Sequence, residues 1–180
     1  MTDNATTHSN NNANSLPHPR AFDTILYGGL AVGVLDILDA MTFFGIRSGV
    51  TPVGVLQSVA AGLLGRQAAF NGGAKTAVLG LLLHFLNATL FATAFYFLSR
   101  ILPVLTRHAV IAGLLYGVAA YLVMTYIVVP HSALGPRTRP IPWPVHLNGV
   151  IGHALLVGLP IALIARRSAK ANNRDRPGPS

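Results

Sequence analysis

The 180-residue chain contains no cysteine and no glutamate, and its whole acidic complement is five aspartates. Without cysteine there can be no disulfide, thiolate metal site, iron–sulfur cluster or cysteine nucleophile. Without glutamate there is no base for an HExxH-type metal site. Charge of either sign is scarce: 10% of residues are charged, against about a quarter in a soluble domain. That is too little to coat a water-facing surface. With 52% hydrophobic residues, the chain reads as all-α, an integral membrane bundle in which lipid is the solvent. No P-loop, GxSxG or dinucleotide fingerprint is present, and no nucleic-acid module. The formal charge of +8 is therefore read against membrane topology.

Four segments reach the roughly 20 residues needed to cross a hydrocarbon core: residues 25–46, 75–98, 109–129 and 147–165. Each carries internal glycine or polar residues, which suits helix–helix packing in lipid better than a lone anchor. A shorter apolar stretch, residues 51–65, opens on Thr51-Pro52, an N-cap followed by a first-turn proline, and closes on Gly65. It predicts a short helix in the first loop, either interfacial or re-entrant, or packed on the end of the bundle. Phe70-Asn-Gly-Gly73 reads as a loop. Residues 130–144 hold prolines at 130, 136, 140, 142 and 144 and predict a stiff, extended connection, with Trp143 at headgroup depth. Residues 1–20 read as a disordered polar tail, 21–167 as one transmembrane domain, and 168–180 as a basic disordered tail. The N-terminus lacks the basic start and short apolar core of a signal peptide.

Lysine and arginine set the orientation. With four spans, Arg20, Arg100, Arg107, Arg166, Arg167, Lys170, Arg174 and Arg176 share the side holding both termini. Arg47, Arg66, Lys75, Arg137 and Arg139 lie opposite. The bias predicts both termini in the cytoplasm. The basic C-terminal segment, Arg166, Arg167 and Lys170 foremost, is assigned to contact with anionic lipid headgroups.

Asp36 and Asp39 sit inside the first span, three residues apart and hence on one helix face. A carboxylate at the bilayer centre costs about 2.5–3.5 kcal/mol on the insertion scale, so each needs a partner, water, an ion or a proton. Gly29 and Gly33 form a GxxxG whose stripe continues to Asp36. In the second span Gly80, His84 and Asn87 share a face, and His84 and Asn87 are natural partners for the aspartates. In the fourth span His146 and His153 are one heptad apart, near Asn148, Gly149 and Gly152, and Pro160 releases the Leu156 carbonyl. His131, just past the third span, is placed to meet His146. Gly113 and Gly117 form a second GxxxG, with Tyr116 and Tyr121 close by, and read as helix packing. The histidines lack i,i+4 ligand spacing, so no metal site is assigned and the cofactor is unknown.

The Gly-rich first span, HFLNATLFATAFYFL, GLLYGVAAYLV before the proline-rich loop, and NGVIGHALLVGLPIALIARR together resemble the small four-helix inner-membrane proteins of the YagU type, over about residues 22–167. The resemblance implies a bacterial inner membrane and brings no catalytic residues. Three functions follow from the residues. The first is proton or cation handling at Asp36, Asp39, His84 and Asn87, extending to small-solute transport and expecting a homo-oligomer with the GxxxG faces as contacts. The second is a membrane-embedded lipid-modifying enzyme using His131, His146 and His153. The third is a non-catalytic scaffold or assembly factor.

Overall fold

The computed structural model describes residues 18–174; of the tails read at residues 1–20 and 168–180, residues 1–17 and 175–180 lie outside the described residues. Within them the chain is helical and has no strand. Four helices are long and apolar enough to cross a membrane: α1 Asp23–Ser48, α4 Gly73–Ile101, α6 Ala109–Val128 and α7 Trp143–Arg174. Between them lie α2 Pro52–Leu64, α3 Arg66–Asn71 and the single turn α5 Val104–Arg107. At 1.5 Å per residue even the 20-residue α6 reaches about 30 Å, the thickness of a hydrocarbon core.

Local chemistry sets the boundaries. Gly49, at φ +65°, ends α1 in the left-handed region that glycine adopts without a Cβ penalty. The Thr51 hydroxyl accepts from the Gly54 amide at 3.1 Å, with Pro52 in the first turn, so α2 starts where its cap predicts. Two boundaries fall elsewhere. The loop read at Phe70–Gly73 shrinks to Gly72, because α3 keeps Phe70 and Asn71 helical and α4 begins at Gly73. The Thr76 hydroxyl donates to the Ala69 carbonyl at 2.6 Å and ties that turn to α4. Helix α7 starts at Trp143, four residues before the predicted span. Pro142 is its cap and Pro144 falls in the first turn, where no helical N–H is lost.

The C-terminal boundary also moves. Residues 168–174, read as disordered tail, continue α7. Ser168 and Ala169 are buried, and the Ser168 hydroxyl joins the Asp23 carboxylate (3.0 Å) to the Arg20 amide (2.7 Å). Asn172 Nδ2 donates to the His18 carbonyl at 3.1 Å. These bonds hold the last turns in place and bring both ends of the described chain to one end of the bundle, as four crossings require.

The helices pack through small residues. Ala88, Ala92, Ala109, Ala162 and Ala165 surround Phe95 and Ile161, both without exposed surface, in the main core. The outer faces present Leu30, Leu38, Leu82, Leu90, Ile111 and Leu115, a leucine-rich belt that only a lipid solvent tolerates on this scale. The chain is a transmembrane helix bundle. Helix α2 packs along α4: a Cβ on Gly80 would lie against the Leu56 carbonyl, while buried Gln57 donates to the Gly73 carbonyl at 3.1 Å. The Ala133 amide donates to the Gly62 carbonyl at 2.8 Å, binding the proline-rich loop to the far side of α2. The short helix is thus built into the bundle end opposite the chain ends.

Three stretches of the long helices widen into π-type turns: Asp23–Tyr27, Met124–Val128 and His153–Gly158. The last precedes Pro160, which has no N–H to give Leu156 and whose ring presses on that carbonyl. A wider turn absorbs both effects.

Candidate functional site

Between α1, α2, α4, α6 and α7 lies a cavity of about 340 Å³. Helix α1 lines it at Val32, Asp36, Ala40 and Phe44, four-residue steps along a single stripe. The stripe covers about 18 Å of helix at 1.5 Å per residue. Helix α4 adds His84, Asn87, Ala88 and Phe91, while α6 adds Tyr121 and Thr125. His153 and Val157 come from the wide turn of α7, and Ser58 from α2. The rest of the wall is apolar, so a carboxylate, two imidazoles, an amide, a phenol and the Ser58 and Thr125 hydroxyls share one site.

His153 Nδ1 lies 3.7 Å from Asp36 Oδ1, each side chain 22% exposed. That separation is beyond a direct hydrogen bond and within charge attraction. Asp39 points elsewhere: its Oδ2 accepts from Asn148 Nδ2 at 2.9 Å, beside Gly152, where a Cβ would stand 3.0 Å from that oxygen. The two aspartates therefore share a helix face but not a site. Their partners also differ from those expected. His84 Nε2 donates to the Gly33 carbonyl at 2.8 Å, and Asn87 lines the cavity. The fourth span supplies both partners because α7 passes α1 with Gly152 at the contact, which leaves room for the carboxylate.

His146 stands between two tyrosines, 2.6 Å from the Tyr121 hydroxyl through Nδ1 and 3.3 Å from the Tyr126 hydroxyl through Nε2. A neutral imidazole then donates to one phenol and accepts from the other. Tyr121, read only as a neighbour of a packing stripe, links the cavity to His146. The missed signal is its register, since Gly113, Gly117 and Tyr121 are four residues apart and face the same helix. The ring lies over Gly149, where a Cβ would collide with it. His131 does not meet His146; its Nδ1 donates to the Ile127 carbonyl of its own helix at 2.7 Å. Among the described residues no group of three or more His, Cys, Asp or Glu side chains is placed to hold a metal ion.

Both GxxxG stripes are spent inside the chain. Gly29 and Gly33 admit Thr89 and Phe85 of α4, and Gly113 and Gly117 admit the α7 backbone at His153, Gly158 and Leu159. The expectation that these faces join separate copies is corrected accordingly: the small residues are needed for contacts within one bundle. Arg167 and Lys170 lie exposed on the last turns of α7, with Arg166 half-buried.

No family model matches the chain, and neither does any curated protein or solved structure.

Proposed function

We propose that the chain is a bacterial inner-membrane protein that takes up a proton or small cation at Asp36, with His153 as the exchanging partner and His84 and Asn87 lining the same cavity. A single observation carries this reading: a carboxylate and an imidazole 3.7 Å apart line a cavity inside a lipid-facing bundle. An acid within a membrane span is costly and marks an ion or proton pathway more often than other polar residues do, and histidine exchanges its proton near neutral pH. Asp39, already hydrogen-bonded to Asn148, has a packing role here.

Orientation with both termini in the cytoplasm rests on the lysine and arginine bias, and kinship with the YagU type rests on the motifs quoted above. Arg166, Arg167 and Lys170 complete the reading as contacts for anionic headgroups at the cytoplasmic face. Four spans are few for a monomeric transporter, so the reading keeps a homo-oligomer, with its contacts on the outer leucine-rich faces. Transport of a small solute would use the same cavity.

The test is flux into liposomes under an imposed proton or monovalent-cation gradient. The native protein is expected to raise flux above protein-free vesicles, with Asp36→Asn lowering it about tenfold or more, as loss of an essential charged group does. Native flux equal to that of protein-free vesicles, or unchanged flux in Asp36→Asn, overturns the reading.

A further inference from the structure

A second concavity, of about 410 Å³, lies beneath the proline-rich loop, outside the polar cavity. Its polar lining is Arg137, Arg139, His146 and Tyr126, and prolines 130, 136 and 140 stiffen its rim. Among the described residues no carboxylate answers the two arginines. Of the aspartates in the described residues, Asp23 bonds Ser168 at the opposite end, Asp36 faces His153 and Asp39 bonds Asn148. None of the three lines this pocket. The chain has no glutamate to take their place.

The pocket is also partly organised in advance. Arg137 donates from Nη1 to the Thr125 carbonyl at 2.6 Å, inside the π-type turn Met124–Val128. The other guanidinium N–H groups stay available. Arg139 has no hydrogen-bond or ion-pair partner among the described residues. Tyr126 and His146 hold each other across the floor. Two planar guanidinium forks presented by a proline-stiffened loop match the multiply accepting oxygens of phosphate, and the tether on Arg137 cuts part of the ordering cost of binding.

We infer that this pocket binds a phosphate-bearing anion through Arg137 and Arg139, with Tyr126 and His146 as hydrogen-bonding partners. The phosphate is carried by an anionic lipid headgroup or by a free solute. The site is independent of the proton or cation reading: Asp36 takes no part in it, and its ligand has the opposite charge.

The chain provides its own reporter. Trp143 is the only tryptophan, is 74% exposed and lies two residues after Ile141 of the pocket wall. In one arm, inorganic phosphate is titrated into detergent-purified protein, with potassium chloride at matched ionic strength as control. In the other, the protein is placed in phosphatidylcholine vesicles with and without phosphatidylglycerol. Tryptophan fluorescence reads both arms, calorimetry reads the phosphate titration, and native mass spectrometry reads the retained lipid.

Saturable binding in the first arm identifies a free phosphate ligand, and selective retention of phosphatidylglycerol identifies a headgroup. In either case Arg137→Gln/Arg139→Gln is expected to weaken binding about tenfold or more, the scale of losing hydrogen bonds to a charged group. Arg139→Gln alone removes no intramolecular bond, so it is expected to weaken binding with an unchanged melting temperature, and it decides the matter should the double variant fail to fold. Binding in neither arm, or Arg139→Gln binding as the native protein does, overturns the inference.

Discussion

A single hydrogen bond separates the two intramembrane aspartates in kind. Asp39 has a specific amide donor in Asn148, whereas Asp36 stands 3.7 Å from the His153 ring with no direct hydrogen bond to it. Interhelical polar contacts in lipid are modest because the unfolded chain also finds partners there. Asn148→Ala is thus expected to cost about 0.6–1.7 kcal/mol of unfolding free energy in mixed micelles, with no change in flux. Asp39→Asn, which keeps an acceptor for Asn148, should cost less. A larger loss from Asp39→Asn than from Asn148→Ala would contradict this assignment. The sequence displayed the acids but not their partners. The i,i+3 spacing of Asp36 and Asp39 fixes a shared helix face, and which neighbour fills that face depends on how α1 and α7 cross. His84 was assigned to the aspartates for the same reason, since no sequence pattern reveals that the Gly33 carbonyl receives its N–H.

At the scale of elements, glycine decides how closely the helices approach. Gly113, Gly117 and Gly158 let α6 and α7 touch backbone to backbone, and a Cβ on Gly117 would collide with the His153 carbonyl. Gly28 differs, because its Cβ would meet Ala92 at an ordinary 3.5 Å. Gly117→Ala is expected to destabilise the bundle by about 1–3 kcal/mol through overpacking. Gly28→Ala should be neutral or gain up to about 1 kcal/mol of helix propensity. Thermal melting of the two purified variants side by side checks the contrast, and equal melting temperatures would refute it. The glycine spacing and the four apolar runs were legible in the sequence, as were the caps at Thr51 and Gly65. The ends of α7 were not, because Pro142 and Pro144 read as loop until one of them serves as a cap. The basic residues after Ala165 likewise hid a buried side in Ser168 and Ala169.

Over the whole molecule, four crossings and the Arg20–Ser168–Asp23 junction put both ends of the described chain on one side. The chain's lack of cysteine allows a clean test with single introduced thiols. Phe22→Cys and Ala171→Cys, both at exposed positions, should react alike with a membrane-impermeant maleimide in intact cells, and Thr138→Cys, exposed in the proline-rich loop, in the opposite sense. Different labelling of positions 22 and 171 would require an odd number of crossings. The all-α class and the number of spans were readable from composition and run length alone, since lipid forces every backbone group to pair within its own helix. The cavity was not readable, because it is the space left by five elements converging from across the chain.

That same junction sets the order in which the bundle can be completed. Asp23 and Ser168 are 145 residues apart, so α1 crosses the membrane long before its closing partner has been synthesised. Until α7 arrives, the acids of α1 lack both His153 and Asn148, and the glycine face of α6 has nothing to receive. Non-local contacts of this length come late in assembly. A chain halted before α7 is therefore an open three-span intermediate with two uncompensated carboxylates in lipid, the form that membrane quality control would meet first.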